Sequence, residues 1–219
     1  LATTGDELRT VGSVDGLGRG ERIYSVRFFG DLGYVVTFRQ IDPLYVIDLS
    51  NPERPEVRGE LKIPGYSAYL HPVGDDALLG VGQDADLDGR DLGLQASLFD
   101  ISDPDDPARI DRYTMENGHS EVEWDHHAFL HDPTTGLTVF PYERWDEREA
   151  TTPPTGALVL TVTEDGIREA GVVSHDPDGS KWWMPIRRSL LINGNLVTVS
   201  ESGVMVSDTD TLKTLDWVA

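Results

Sequence analysis

The sequence has no cysteine. Disulfides, thiolate metal sites, cysteine nucleophiles and iron–sulfur ligation are excluded, while either redox compartment stays open. Lysine is scarce: Lys62, Lys181 and Lys213 are the only three, and arginine carries the rest of the positive charge. With 18 basic against 39 acidic residues, the formal net charge is −21. That field repels phosphate backbones, and no basic stretch rich in aromatics offsets it over any length, so no nucleic-acid partner is expected. No apolar run of about 18 residues occurs, so no segment reads as a transmembrane helix. The chain opens on Leu1 and not on a methionine, so the lack of a leader says nothing about export. No segment sustains a 3.6-residue apolar period, and helix is not expected to dominate.

What is present argues for strands. Five Trp, seven Tyr and six Phe in a chain with 38% hydrophobic residues supply a core. Ile23–Phe29, Tyr34–Phe38, Leu44–Leu49 and Val57–Ile63 are short runs rich in β-branched and aromatic residues. Gly30-Asp31, Asp42-Pro43 and the Asn51–Pro55 stretch punctuate them. The pattern repeats. Asp48, Pro52 and Pro55 in YVIDLSNPERPEVRGEL match Asp100, Pro104 and Pro107 in SLFDISDPDDPARIDRY, each 52 residues on. Asn51 and Asp103 can bond their own backbone, and the prolines fix φ where no ladder hydrogen bond is needed. Ala157–Val173 and Gly203–Val218 repeat the two strands with other turns, and a further hairpin precedes each copy, from Tyr24, Ser67, Asp125 and Arg188.

Two hairpins per unit give four antiparallel strands every ~50 residues, the period of propeller blades. The expected fold is an all-β propeller portion over residues 1–219, with blades near 21–64, 65–115, 120–175 and 184–219. Residues 8–16 resemble the outer strand of a preceding blade, so the chain reads as the C-terminal part of a larger propeller; the competing reading has Leu8–Val14 close a small ring. Such a portion exposes sheet faces, and the expected partners are the missing blades or a second copy of the chain.

Three stretches carry chemistry. In GQDADLDGRDLG, Asp84, Asp86 and Asp88 stand at positions one, three and five of an EF-hand-type loop, followed by Gly89. Hard oxygen ligands at that spacing suit structural Ca2+. Arg90 would offer its backbone carbonyl at position seven, Asp91 would compensate for a lost carboxylate, and Gln95 stands where a bidentate Glu belongs. The competing reading is a solvated acidic turn. HSEVEWDHHAFLHD holds four of the six histidines. Read as a strand, it puts Glu121, Glu123, Asp125 and His127 on one face. Glu121, Asp125, His126 and His127 are the candidates for an acid/base or metal-dependent hydrolase or lyase, although no H-E-x-x-H signature is present. Polar residues lining a central channel are the competing reading. Trp145, in a polar excursion, and Trp182 and Trp183, in a rare basic and aromatic patch, suit contact with a protein or carbohydrate ligand. Packing of Trp183 and Met184 between blades explains the second patch equally well. No G-x-S-x-G context surrounds any serine.

The strings RIYSVRF, TFRQIDPLYVIDLS and YLHPVG, continued by GVGQDADLDGRDLGLQASLFDISDP and DHHAFLHD, resemble a family of bacterial and archaeal secreted proteins with a C-terminal β-propeller domain. The likeness covers most of the chain and weakens after Pro141. It implies a secreted or lipid-anchored envelope protein, with no catalytic residues to carry over. Together the residues point to an extracellular or cell-envelope binding or scaffold module, calcium-stabilised and without an assigned activity. The alternative is an enzyme built on Glu121–His127.

Overall fold

The computed structural model describes residues 1–38, 42–86, 88–145, 153–175 and 184–219. A small hairpin of β1 (Ala2–Thr4) and β2 (Glu7–Arg9) comes first. Four sheets follow. Blade 1 holds β3 (Arg22–Phe29), β4 (Leu32–Phe38), β5 (Asp42–Asp48) and β6 (Glu56–Ile63). Blade 2 holds β7 (Tyr66–Val73), β8 (Ala77–Ala85), β9 (Asp91–Asp100) and β10 (Ala108–Glu116). In blade 3, β11 (Gly118–His119) and β12 (Leu130–His131) share one edge of β13 (Leu137–Arg144), followed by β14 (Thr155–Thr163) and β15 (Gly166–Val173). Blade 4 holds β16 (Ile186–Ile192), β17 (Asn195–Ser200), β18 (Gly203–Asp208) and β19 (Thr214–Val218). Neighbouring strands are antiparallel throughout.

The turn chemistry explains the repeat. Asp48 Oδ1 accepts from Ser50 N, and Asp100 Oδ1 from Ser102 N, both at 2.9 Å. Asn51 Oδ1 accepts from Glu53 N, and Asp103 Oδ1 from Asp105 N. In the β16–β17 turn, Asn193 and Gly194 both have positive φ, the conformation a tight hairpin asks of an Asn-Gly pair. Each outer strand is bulged against its neighbour, at Val46/Ile47, Arg109/Asp111, Val159/Leu160 and Val206/Ser207. A bulge bends the strand locally and increases its twist.

Alternation then builds the core. Tyr34, Val36, Leu44 and Val46 face blade 2 and meet Leu70, Leu78 and Phe99. Leu79, Val81, Leu94 and Leu98 face blade 3 and meet Phe140, Tyr142, Leu158 and Leu160. Val139, Ala157 and Val159 meet Ile186, Leu196 and Met205 of blade 4. Strand β8 is buried along its whole length because it has a blade on either face. The far face of blade 1 is capped by Val14 and Leu17 over Val35, Tyr45 and Ile47.

Residues 8–16 differ from a regular outer strand: β2 ends at Arg9, and irregular chain follows. Even so, Gly12 lies against Pro52 and Pro55 of blade 1 as Gly59, in the outer strand of blade 1, lies against Pro104 and Pro107 of blade 2. Either glycine has backbone and proline atoms where a Cβ would stand.

The stretch read as a strand through Glu121–His127 also differs. It forms two 3-10 turns, Glu121–Glu123 and His126–Ala128. Ser120 and Asp125 cap backbone N–H groups, and Glu123 completes a capping box with Ser120. These side chains offer the backbone partners that compete with a ladder.

Histidines at the blade seams make the fold sensitive to acid. His71 packs on His131 (ring centroids 5.1 Å apart) and Phe129 (4.8 Å), with Tyr69 Oη 3.2 Å from its Nδ1. Burial, then His131 and Arg27, push His71 down to about 4. Burial pushes His175 down to about 4 as well, between Ser200, Thr198 and Trp217. An unfolded histidine titrates near ~6.5. Between that value and about 4, the unfolded chain takes up protons that the folded chain refuses, so stability falls as pH drops through the window. The urea midpoint is expected to fall between pH ~7 and ~4.5, and His71→Gln to flatten part of that fall. A variant whose pH dependence matches the wild type would contradict this.

Candidate functional site

A cleft of about 440 Å³ lies between blades 2 and 3. Blade 2 contributes Tyr66 at the start of β7, Gln83 on β8 and Asp91 at the start of β9. Blade 3 contributes Asn117, His119 on β11, Glu123 from the first 3-10 turn and Trp145 just after β13. Asn117 adopts φ 54°, which lets its N–H reach Leu92 O and its carbonyl accept from Trp145 N. That corner places the indole of Trp145 flat on the ring of His119, with centroids 4.8 Å apart and planes 14° apart. Trp124 stacks on the same imidazole at 5.9 Å. Trp145 remains 74% exposed, so its outer face is open to a ligand.

The capping box aims Glu123 into this cleft. Its Oε1 accepts from Gln83 Nε2 at 2.6 Å and Ser120 N at 2.9 Å, and Tyr66 Oη lies 3.4 Å from Oε2. All three donors are neutral. Burial raises the Glu123 carboxyl above the usual range against the pull of those donors. Burial, and then Glu123 itself, push Tyr66 up as well. No lysine or arginine among the described residues lines the cleft.

The expected residues fall elsewhere. Glu121 accepts from Arg187 at 2.8 Å and Arg188 at 3.1 Å, and Arg188 also donates to Asp125. The His127 side chain, 88% exposed, bonds Asp125 at 2.9 Å, while His126 packs at a tilt on Tyr69, with ring centroids 4.9 Å apart. Hydrogen bonds from His127, then Arg188, hold the Asp125 carboxyl below the usual carboxylate range. Among the described residues, Glu121 and Asp125 therefore meet arginine, as a clamp between blades 3 and 4, and Asp125 also bonds His127. The 3-10 turn sends Glu121 and Glu123 to opposite sides, where strand alternation puts them together.

The acidic loop borders the cleft. Asp86 Oδ1 accepts from Asp88 N and Arg90 N, and Arg90 O accepts from Asp86 N. Asp84 pairs with Arg112 at 3.3 Å, Asp88 lies 3.8 Å from Arg90, and Asp91 Oδ1 accepts from Gly93 N. Gln95 does not turn toward the loop: it is buried within β9, opposite Gly82 and Thr114, with its amide beside Gly65. Among the described residues, no three His, Asp or Glu side chains group to hold a metal ion. Trp182 and Trp183 lie outside the described residues. Sequence reasoning missed Tyr66, Gln83, Asn117, His119 and Glu123 as a set. The S-x-x-E spacing of Ser120 and Glu123 was the available signal.

Successive antiparallel blades, four-stranded except for the five strands of blade 3, packed face to face, define a β-propeller. Residues 1–212 match the family described as Beta propeller domain, and the chain belongs to that family. An uncharacterised protein of Methanocaldococcus jannaschii is 52% identical over 202 residues, covering 92% of this chain and 29% of its own length. An uncharacterised protein of Archaeoglobus fulgidus is 48% identical over 136 residues, 62% of this chain and 21% of that protein. The chain thus spans less than a third of either relative. Among solved structures, the computationally designed Ika4 protein is similar with a TM-score of 0.49 at 11% identity, covering 91% of this chain and 98% of that one. No helix among the described residues is long and apolar enough to cross a membrane.

Proposed function

We propose that this chain is the ligand-binding portion of a larger scaffold protein, and that the seam between blades 2 and 3 receives a small molecule or a side group of a larger partner. The observation that carries the reading is the exposed Trp145 indole, held flat on His119 at the mouth of a cleft whose floor holds Glu123. A rigid aromatic wall beside a few placed polar groups is how binding sites combine affinity with orientation. The carboxylates of the enzyme alternative are engaged by Arg187 and Arg188. Ligand-observed magnetic resonance on a mixture of neutral sugars, amines and short peptides tests the reading. Saturation transfer to at least one component, lost in Trp145→Ala, is expected. Chemical conversion of a component, abolished by Glu121→Gln, would overturn it.

Two elements of this reading come from the sequence. Location outside the cytoplasm, at the cell envelope, rests on the family resemblance, and fractionation of cells producing the full-length protein tests it. Structural calcium rests on the spacing of Asp84, Asp86 and Asp88. Chelator-treated protein should melt higher with ~1 mM calcium, and an unchanged Tm would reduce the loop to an acidic turn tied to Arg112.

The scaffold role draws on the outer face of blade 4. Alternation with buried Leu196, Thr198 and Met205 turns Val197, Val199, Val204 and Val206 to that face, beside Leu190 and Val218, 43% and 62% exposed. We assign this face to another blade, supplied by a second copy when the chain is alone. Sedimentation should show a dimer that Val204→Lys disperses, and a strict monomer at high concentration would contradict the assignment.

A further inference from the structure

Taking the cleft between blades 2 and 3 as a ligand site, we infer that its ligand is an organic cation with an ammonium or guanidinium head. The walls bring two carboxylates, Glu123 and Asp91, to one recess, with no lysine or arginine among the described lining residues. Several carboxylates elsewhere have arginine partners: Asp105 with Arg58, Glu121 with Arg187 and Arg188, Asp84 with Arg112. Part-buried Glu123 takes its hydrogen bonds from other groups. Its hydrogen-bond donors, Ser120 N, Gln83 and Tyr66, are all neutral, and the charge interaction acting on it comes from the His119 imidazole in the same cleft.

A carboxylate removed from water without a counter-charge is costly, and a bound cation offsets that cost. The aromatic walls point the same way. The open face of Trp145 and the ring of Tyr66 are electron-rich surfaces for a desolvated cation. A neutral sugar would use the same rings but would leave both carboxylates without a partner of opposite charge. The net charge of −21 also concentrates small cations near the surface.

The test uses agmatine as the cationic probe and methyl glucoside as the neutral one, titrated into the full chain by calorimetry and by Trp fluorescence. One agmatine per chain is expected. Glu123→Gln should weaken binding by about tenfold, because a charge-assisted contact is lost. Trp145→Ala, at an exposed position, should weaken it by about threefold without affecting folding. Asp91→Asn keeps the acceptor for Gly93 N and gives a second loss of charge, should Glu123→Gln disturb the Ser120 turn. Agmatine binding unchanged in both charge variants would overturn the cation assignment. Methyl glucoside bound in place of agmatine would also overturn it, while leaving the cleft a ligand site. Neither probe bound, with emission unmoved, would remove the ligand site itself.

Discussion

Phe140→Ala is expected to destabilise the protein by about 3–5 kcal/mol, the range for deleting a buried aromatic side chain. Phe140 is 0% exposed on β13 and projects from blade 3 onto blade 2. It stacks on Phe129 at 6.2 Å and 15°, within the cluster that includes Leu79, Leu94 and Leu98. Total stabilities of domains are about 5–15 kcal/mol, so the substitution removes a large share of the margin. Leu190→Ala is the contrasting substitution. Leu190 is 43% exposed on the outer face of blade 4, and its truncation should cost less than about 1 kcal/mol under conditions where the chain is monomeric. Urea unfolding followed by Trp emission, with unchanged slope, measures both. Equal costs at the two positions would mean that the seam between blades 2 and 3 is not the main core.

Glu121→Ala is expected to destabilise by about 1–3 kcal/mol, less than a fully buried pair because both arginines reach water. The Glu121 side chain is 12% exposed and takes hydrogen bonds from both Arg187 and Arg188. Its removal leaves two guanidinium groups side by side at the seam of blades 3 and 4. Arg188→Ala should cost a similar amount, and the double variant less than the sum, because the two residues share one network. Arg188→Lys should not restore the clamp, since Arg188 reaches both Glu121 and Asp125 with one planar fork. Additive single losses would show that the contact contributes nothing as a pair.

The blades were legible because their signals are local. The Asp48 and Asp100 turns use side chains that bond two residues onward, and the spacing of 52 is plain in the chain. Glu121–His127 misled because period-two reading assumes a ladder, whereas Ser120 and Asp125 divert the backbone into 3-10 turns. The cleft was illegible for a different reason. Gln83 and Glu123 are 40 residues apart, and Tyr66 and Glu123 are 57 apart. Their meeting depends on how one blade seats on the next, which no window of sequence encodes. Trp145 was visible as an exposed aromatic, but its stacking on His119 needs the Asn117 corner.

Backbone amide shifts recorded while agmatine is added locate the ligand on the molecule. Movement is expected at Tyr66, Gln83, Asn117, His119 and Glu123, with His126, His127 and Arg188 unmoved. Movement centred on His126, His127 and Arg188, with the cleft silent, would contradict the cleft as the ligand site.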